Sequence, residues 1–348
     1  MSPRAKRYLF NGLRLAVCAA GVYYIVRQLS GEDLPGSLSQ MNGTLTLVAV
    51  LLFAPILLIV SVRLVVVMAT QGIRLSVWEA IKLTYAGGFL NFAMPGATGG
   101  DLYKAYCVTR RTHKKTEAVT AVFLDRVIGL GSLVIIGGAM SLLGWALRLN
   151  IGWAAKVIGG LLVAMAIGAA LFFSHRVRRL IRYDRILGRL PFSHQLRRVD
   201  QAAFILRRNK RRVAKALALT VVLQLFAMVS LMFVAAALGM ATDSLIPYFV
   251  YLPLSLVIRA IPISIQGIGP MDACCKFFFV DSGLGNASQV QILALAVRLL
   301  DLFWALPGIL VLLTGRELPP KDFTTDDADD NPMLDKGLEP TGPRPNLT

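Results

Sequence analysis

Long apolar runs separated by short polar segments occupy most of the chain up to residue 316. A helix needs about 20 apolar residues to cross a bilayer, and several runs reach or approach that length. The pattern predicts an all-α polytopic membrane protein with full spans at residues 8–27, 44–69, 116–147, 153–173, 214–240 and 288–314. Residues 317–348 are acidic and rich in proline, which predicts a disordered tail after an integral membrane domain of 1–316.

Two further apolar stretches are interrupted by proline and glycine. In residues 87–101, Pro95 removes a helix donor, so an entering helix must break near Met94. Gly99 and Gly100 permit turns after the break. Broken backbone at membrane depth is tolerated only where protein buries it or where it lines a wet cavity. The first break is therefore a candidate binding site.

Polar residues gather around this first break. An amide precedes it, a carboxylate ends it, and an ammonium group follows one helical turn later. Polar groups beside exposed backbone are what a polar ligand needs inside a membrane. The candidate binding residues of the first break are Asn91, Pro95, Gly99, Gly100, Asp101 and Lys104.

The second interrupted stretch repeats these features. An apolar arm at residues 246–261 leads into a run of helix breakers and then to an acid. The candidate binding residues of this second break are Pro262, Gly267, Gly269 and Asp272. Because basic, cytoplasmic flanks lie on both sides of residues 76–103, that segment must return to the side it entered from. We predict re-entrant hairpins at 76–103 and 246–283, with two full crossings as the alternative for each.

The two breaks also predict an internal repeat. Arg126 follows the first acid by 25 positions (101 to 126), and Arg298 follows the second by 26 (272 to 298). Loop charges give the first unit, residues 44–147, the opposite orientation to the second, residues 214–314. Two interrupted units of opposite orientation match transporters whose site lies near the bilayer midplane. A chance match of proline and glycine positions is the alternative.

Four ionisable residues lie inside the predicted spans, namely Asp125, Arg126, Arg298 and Asp301. Each costs about 3 kcal/mol there unless it is paired or faces water, so they are candidate ligands of a polar headgroup. Arg298 and Asp301 are three positions apart on one helix face, and they could instead neutralise each other and lock helices together. Arg63, near the inner end of its span, is interpreted as snorkelling to the interface.

Composition agrees with a membrane protein, since the chain is 55% hydrophobic and only 16% charged. The net charge is +17, and residues 174–215 contain fourteen Lys or Arg against two acids. Because this basic run lies between apolar segments, it predicts a cytoplasmic segment at 174–213 on the anionic inner leaflet rather than nucleic-acid binding. Both termini are then predicted to be cytoplasmic.

The sequence contains no signature of a cofactor or of a catalytic centre. Its four cysteines show no metal-ligand spacing. Neither a nucleophile–base arrangement nor a Walker-type phosphate loop is present. We therefore expect no metal, no cofactor and no enzymatic activity.

A resemblance to the lysylphosphatidylglycerol synthase transmembrane-region family, also called flippase-like, is carried by residues 88–101 and by Asp125-Arg126-Val127-Ile128-Gly129-Leu130. The resemblance covers about residues 8–316. It implies an integral inner-membrane protein, in the best-understood members a flippase for a modified phospholipid. This chain has Lys104 where the family usually has arginine, and Asp272 where glutamate is more usual. The best-understood members of the family also carry a soluble aminoacyl-transfer domain, which we expect to be missing here.

Three functions fit these features. The first is translocation of a phospholipid or related polar lipid, with its charged headgroup between the two units and its tails in the bilayer. The second is a non-catalytic accessory subunit whose hairpins dock a lipid-modifying enzyme or a glycosyltransferase. The third, with the least support, is a lipid transferase that uses Asp101 and Asp272 as acid and base.

Overall fold

A computed structural model describes residues 36, 39–92, 98–149, 152–173, 209–261, 264 and 266–314. Every regular element within these ranges is helical, as the sequence predicts. Several predicted features lie outside the described residues: the span at 8–27, Pro95, Pro262, most of the basic segment and the tail.

Eleven α-helices and one π-helical turn make up the described part of the chain. They are α1 Gly43–Phe53, α2 Pro55–Thr70, α3 Val77–Leu90, α4 Gly99–Thr109, α5 Lys115–Ala146, α6 Gly152–Phe173, α7 Lys210–Ala237, α8 Ile246–Arg259, α9 Pro270–Cys275, the π-helical turn Lys276–Val280, α10 Ala287–Ala305 and α11 Pro307–Leu313.

Four helical segments are long and apolar enough to cross a membrane. They are the continuous pair α1–α2 with 28 residues, α5 with 32, α7 with 28 and α10 with 19. These segments confirm four of the predicted spans as membrane-crossing candidates. The span predicted at 153–173 coincides with α6, whose stretch Gly152–Ile167 counts as a shorter apolar helix.

Local sequence explains where these helices begin. Ser76 and Glu79 form a capping box, in which each side chain accepts from the backbone N–H of the other residue, and α3 starts there. The Asn42 side chain accepts from the first N–H groups of α1. Pro55 stands at the first position of α2, where its missing N–H costs no helical hydrogen bond, and it separates α1 from α2.

The helices α1 and α2 lie antiparallel to α7 along their whole length. At one end the backbone N–H of Asn42 donates to the Ala237 carbonyl at 3.0 Å. At the other end the Asn209 side-chain amide donates to the Thr70 carbonyl at 3.1 Å. This antiparallel packing joins α2, which comes before the arm α3 of the first break, to α7, which comes before the arm α8 of the second.

Each helix that leads into a break packs against a long helix that follows the other break. The arm α8 lies along α5, and the arm α3 lies along α10 and α11. The contact of α3 with α11 is close because Gly308 lies directly on the backbone of Tyr85. The two halves are therefore interlocked, with every arm held by the opposite half.

The helices on either side of each break lie against one another. In the first, α3 and α4 approach so closely that a side chain at Gly100 would meet the backbone of Gly87. In the second, the Ala241 N–H donates to the Leu284 carbonyl at 2.9 Å, so the residues that flank segment 246–283 lie side by side. The re-entrant hairpins and their relation by an inverted repeat stay predictions.

Replacing Gly100 with alanine tests the close contact between α3 and α4. The added methyl group would meet the Gly87 backbone, and overpacking of this kind costs about 1–3 kcal/mol. We expect Gly100→Ala to lower the melting temperature of the purified protein in detergent. Gly160→Ala in α6 is the matched control, because no atom lies within 4 Å of a Cβ there. Equal melting temperatures for the two variants would contradict a tight contact.

Candidate functional site

Charged side chains gather at both breaks, and we define two centres by their residues. The first centre consists of Asp101, Lys104 and Arg126. The second centre consists of Arg259, Gln266, Asp272, Arg298 and Asp301.

The first centre joins the helix after the break to the long helix that follows. Asp101 is the third residue of α4, and its Oδ2 accepts from Arg126 Nη1 at 2.6 Å. Lys104 Nζ lies 3.9 Å from Asp101 Oδ1. The Asp101 and Arg126 side chains are 26% and 22% exposed, whereas that of Lys104 is only 9% exposed. Two cations thus share one carboxylate, and part of the Asp101–Arg126 pair is exposed at the protein surface.

Asn91 and the glycines of the first break shape this centre. Asn91 Oδ1 accepts from the Gly100 N–H at 2.7 Å, which satisfies a donor at the start of α4 that has no partner within its own helix. Gly99 and Gly100 are both buried there. These contacts hold the first turn of α4, and therefore Asp101, in place. A direct contact of Asn91, Gly99 or Gly100 with a ligand stays a prediction.

The second centre repeats the acid–arginine pair with deeper burial. Asp272 is the third residue of α9, and its Oδ2 accepts from Arg298 Nη2 at 3.0 Å and from the Gly269 N–H at 2.9 Å. Arg298 Nε also donates to the Gln266 carbonyl at 3.3 Å. The Arg298 side chain is 1% exposed. Its guanidinium group is thus fixed against the backbone of the second break.

Asp301 pairs with Arg259, not with Arg298. Arg259 Nη2 lies 2.5 Å from Asp301 Oδ2, and Arg259 Nε donates to Gln266 Oε1 at 3.0 Å. The interpretation of Arg298 and Asp301 as a mutually neutralising pair is therefore wrong. The spacing of Arg298 and Asp301 along one helix does not reveal their actual partners. Asp272, after the second break, pairs with Arg298, and Arg259, at the end of α8, pairs with Asp301.

Sequence reasoning missed Arg259 and Gln266 as members of the site. Arg259 ends an otherwise apolar arm three positions before Pro262, and a lone cation in that position was an available signal. Gln266 carries no such signal. Its role depends on a backbone with φ of 52°, which turns it toward Arg259.

Arg63 and Asp125 form a separate ion pair that shares no residue with either centre. Arg63 donates to the two Asp125 oxygens at 2.7 and 2.9 Å, and its Nη1 donates to Thr220 Oγ1 at 3.4 Å. The Arg63 and Asp125 side chains are 8% and 5% exposed. Arg63 therefore does not snorkel, because α5 and α7 cover it. Asp125, a predicted binding residue, is instead occupied in joining α2 to α5.

Arg126 connects the two centres. Besides its contact with Asp101, it donates through Nη2 to the Ala260 carbonyl at 3.0 Å, next to Arg259 of the second centre. Together the centres hold four cations and three carboxylates, an excess of one positive charge.

Arg126 and Arg298 both lie well inside a helix that is long and apolar enough to cross a membrane. Arg126 follows the first residue of α5 by eleven positions, and Arg298 follows the first residue of α10 by eleven. At about 1.5 Å per residue, each arginine lies about 16 Å from the first residue of its helix, about three turns from the polar end at which that helix begins.

A double variant that removes both charges tests whether the Arg63–Asp125 ion pair has a structural role. Asp125→Leu alone should strand a buried guanidinium at a cost of about 3–5 kcal/mol, whereas Arg63→Met with Asp125→Leu should restore most of the stability. Unfolding of the purified protein in detergent measures both effects. Asp101→Asn, at the more exposed pair, is the comparison and should cost less. A double variant no more stable than Asp125→Leu would contradict a buried structural pair.

Comparison with known proteins identifies a family. The model of the family described as Lysylphosphatidylglycerol synthase TM region matches residues 12–308, a range that contains both centres. No curated protein matches the chain, and no solved structure does so.

Proposed function

Because the chain belongs to the lysylphosphatidylglycerol synthase TM region family, we propose that it binds a phospholipid or related polar lipid and translocates it across the inner membrane. Family membership and the four long apolar helices identify a multi-pass membrane protein. The transport step, its lipid and the cell membrane as location are the proposal.

The observation that carries the proposal is the pair of linked charged centres inside apolar helices. Ionisable groups at that depth are costly, and those that face a cavity commonly mark the path of a polar substrate. The excess of one cation over the carboxylates favours an anionic or zwitterionic headgroup. Of the pairs described above, Arg126 with Asp101 combines access with connection to both halves.

In the proposed mechanism, side chains that form ion pairs within the protein release one another and bind the headgroup instead. A phosphate that approaches Arg126 competes with Asp101 for its guanidinium, while Lys104 supplies the additional positive charge. The tails stay in the bilayer, which spares the cost of moving them through a polar path. Rocking of two inversely related units would then expose the headgroup to each side in turn.

The proposed topology predicts which loops react with an impermeant thiol reagent. On a cysteine-free background, Asp243→Cys in the turn before α8 should be labelled from outside, and Lys115→Cys at the start of α5 should not. Both side chains are exposed in the structure, so accessibility to the reagent depends on the side of the membrane. Mass spectrometry of labelled cells measures both. The reverse pattern would overturn the orientation with both termini in the cytoplasm.

Neutralising the first centre tests translocation itself. We expect Arg126→Gln to slow the transfer of phosphatidylglycerol with a fluorescent acyl chain by at least about tenfold, because one charge-assisted contact is worth about 1.5–3 kcal/mol. Proteoliposomes with dithionite quenching measure the rate. Lys156→Gln is the matched control, since Lys156 is exposed and lies 5.1 Å from the Trp153 ring, far along the chain from both centres.

Other outcomes of this assay identify the rival functions. Lipid bound without any transfer by the wild-type protein would overturn translocation and favour an accessory subunit. A chemically altered headgroup in the recovered lipid would indicate a transferase.

A further inference from the structure

Within the described part of the chain, four buried side-chain polar atoms without a hydrogen-bond partner belong to the second centre or to the break beside it. They are Arg298 Nη1, Gln266 Nε2, Asp272 Oδ1 and Ser264 Oγ. Arg298 and Gln266 are only 1% and 2% exposed. A buried donor without an acceptor costs about 1–3 kcal/mol, so donors held here are expected to serve a ligand.

The chemistry of these atoms indicates what that ligand must be. Arg298 Nη1 and Gln266 Nε2 can only donate, and Ser264 Oγ can do so. Asp272 Oδ1 lies 2.9 Å from Arg298 Nη2, which compensates its charge without a well-aligned hydrogen bond. Donors therefore outnumber acceptors, and the fitting ligand carries several acceptor oxygens and negative charge.

The orientation of the Gln266 amide follows from its neighbour. Arg259 has donors only and contacts the side-chain oxygen of Gln266 through both Nε and Nη2. The Gln266 oxygen must therefore face Arg259, and its NH2 group must point away from it. The hydrogen-bonding partners therefore determine which of the two possible flips the Gln266 amide adopts.

The backbone around Gln266 is arranged to present these donors. Gln266 has a φ of 52°, a left-handed conformation that a side chain other than glycine adopts at a cost. Gly267 follows with a φ of 70°, and a Cβ there would lie 2.7 Å from Arg259 Cα. The turn therefore requires glycine at 267 and fixes Gln266 between Arg259 and Arg298.

We propose that the second centre is an oxyanion subsite, in which Arg298 Nη1 and Gln266 Nε2 donate to the oxygens of a phosphate group. Arginine suits this role because its planar fork can hold Asp272 with one nitrogen and a phosphate oxygen with another. The inference deepens the proposed function and rests on it for the source of the phosphate, the headgroup of a phospholipid. Free inorganic phosphate has the same chemistry and is the alternative source.

Titrating the purified full chain in detergent tests the subsite. The probes are inorganic phosphate and mixed micelles that contain either phosphatidylglycerol or diacylglycerol, which lacks a phosphate. Binding is measured as the concentration-dependent shift in melting temperature. Phosphatidylglycerol should stabilise the wild-type protein, and diacylglycerol should not.

Gln266→Glu is the decisive variant because it keeps the oxygen that Arg259 contacts and replaces the NH2 donor with a second, negatively charged acceptor oxygen. We expect it to weaken phosphatidylglycerol binding by at least about tenfold, through one lost charge-assisted hydrogen bond and added repulsion. Gln224→Glu in α7 is the matched control, the same change at a buried glutamine outside both centres. Arg298→Lys is a second variant that keeps the charge and should also weaken binding.

The outcomes separate this inference from the proposed function. Wild-type affinity in Gln266→Glu and Arg298→Lys would overturn the subsite, and translocation of phosphatidylglycerol by the wild-type protein would still support the proposed function. Binding of inorganic phosphate that both variants weaken, without binding of phosphatidylglycerol, would support the subsite and overturn the lipid as its source. No binding of either probe would overturn the subsite, with water then satisfying these donors.

Discussion

An ionised side chain inside a bilayer must find a partner, and this requirement determines how the helices of the protein are arranged. Separating a charge from water without compensation costs several kcal/mol, more than most packing contacts contribute. The described apolar helices meet this requirement through arginine–carboxylate pairs that join different helices. Each pair constrains how its two helices pack, because their side chains must meet at one height along both helices.

The pairs divide into two kinds by what surrounds them. Arg63 and Asp125 are closed in by α2, α5 and α7, with both carboxylate oxygens accepting from one guanidinium. Arg126 and Asp101 are open, and they leave room for exchange with a ligand. Sequence alone does not separate these cases. Asp125 and Arg126 are neighbours on α5, yet Asp125 pairs with Arg63 of α2 and Arg126 pairs with Asp101 of α4.

Much of the fold could be predicted from the sequence because apolar length and helix breakers act locally. The helices α5 and α7 begin and end within a few residues of the predicted spans, and α3 ends shortly before Pro95. The partners within the candidate site could not be predicted, since they depend on contacts between distant segments. Arg298 shows the difference, because its acid comes from the break 26 residues earlier and not from its own helix.

The two contacts of Arg126 make it a latch between the halves of the molecule. One nitrogen holds a carboxylate of the first half, and another holds the Ala260 carbonyl of the second. In the proposed transport cycle, a ligand that takes either contact alters the freedom of the halves to move, and thermodynamic reciprocity then requires that their movement alter ligand affinity by the same factor. Ligand binding and the opening of the interface between the halves would thus be coupled, because both depend on the contacts of the Arg126 guanidinium group.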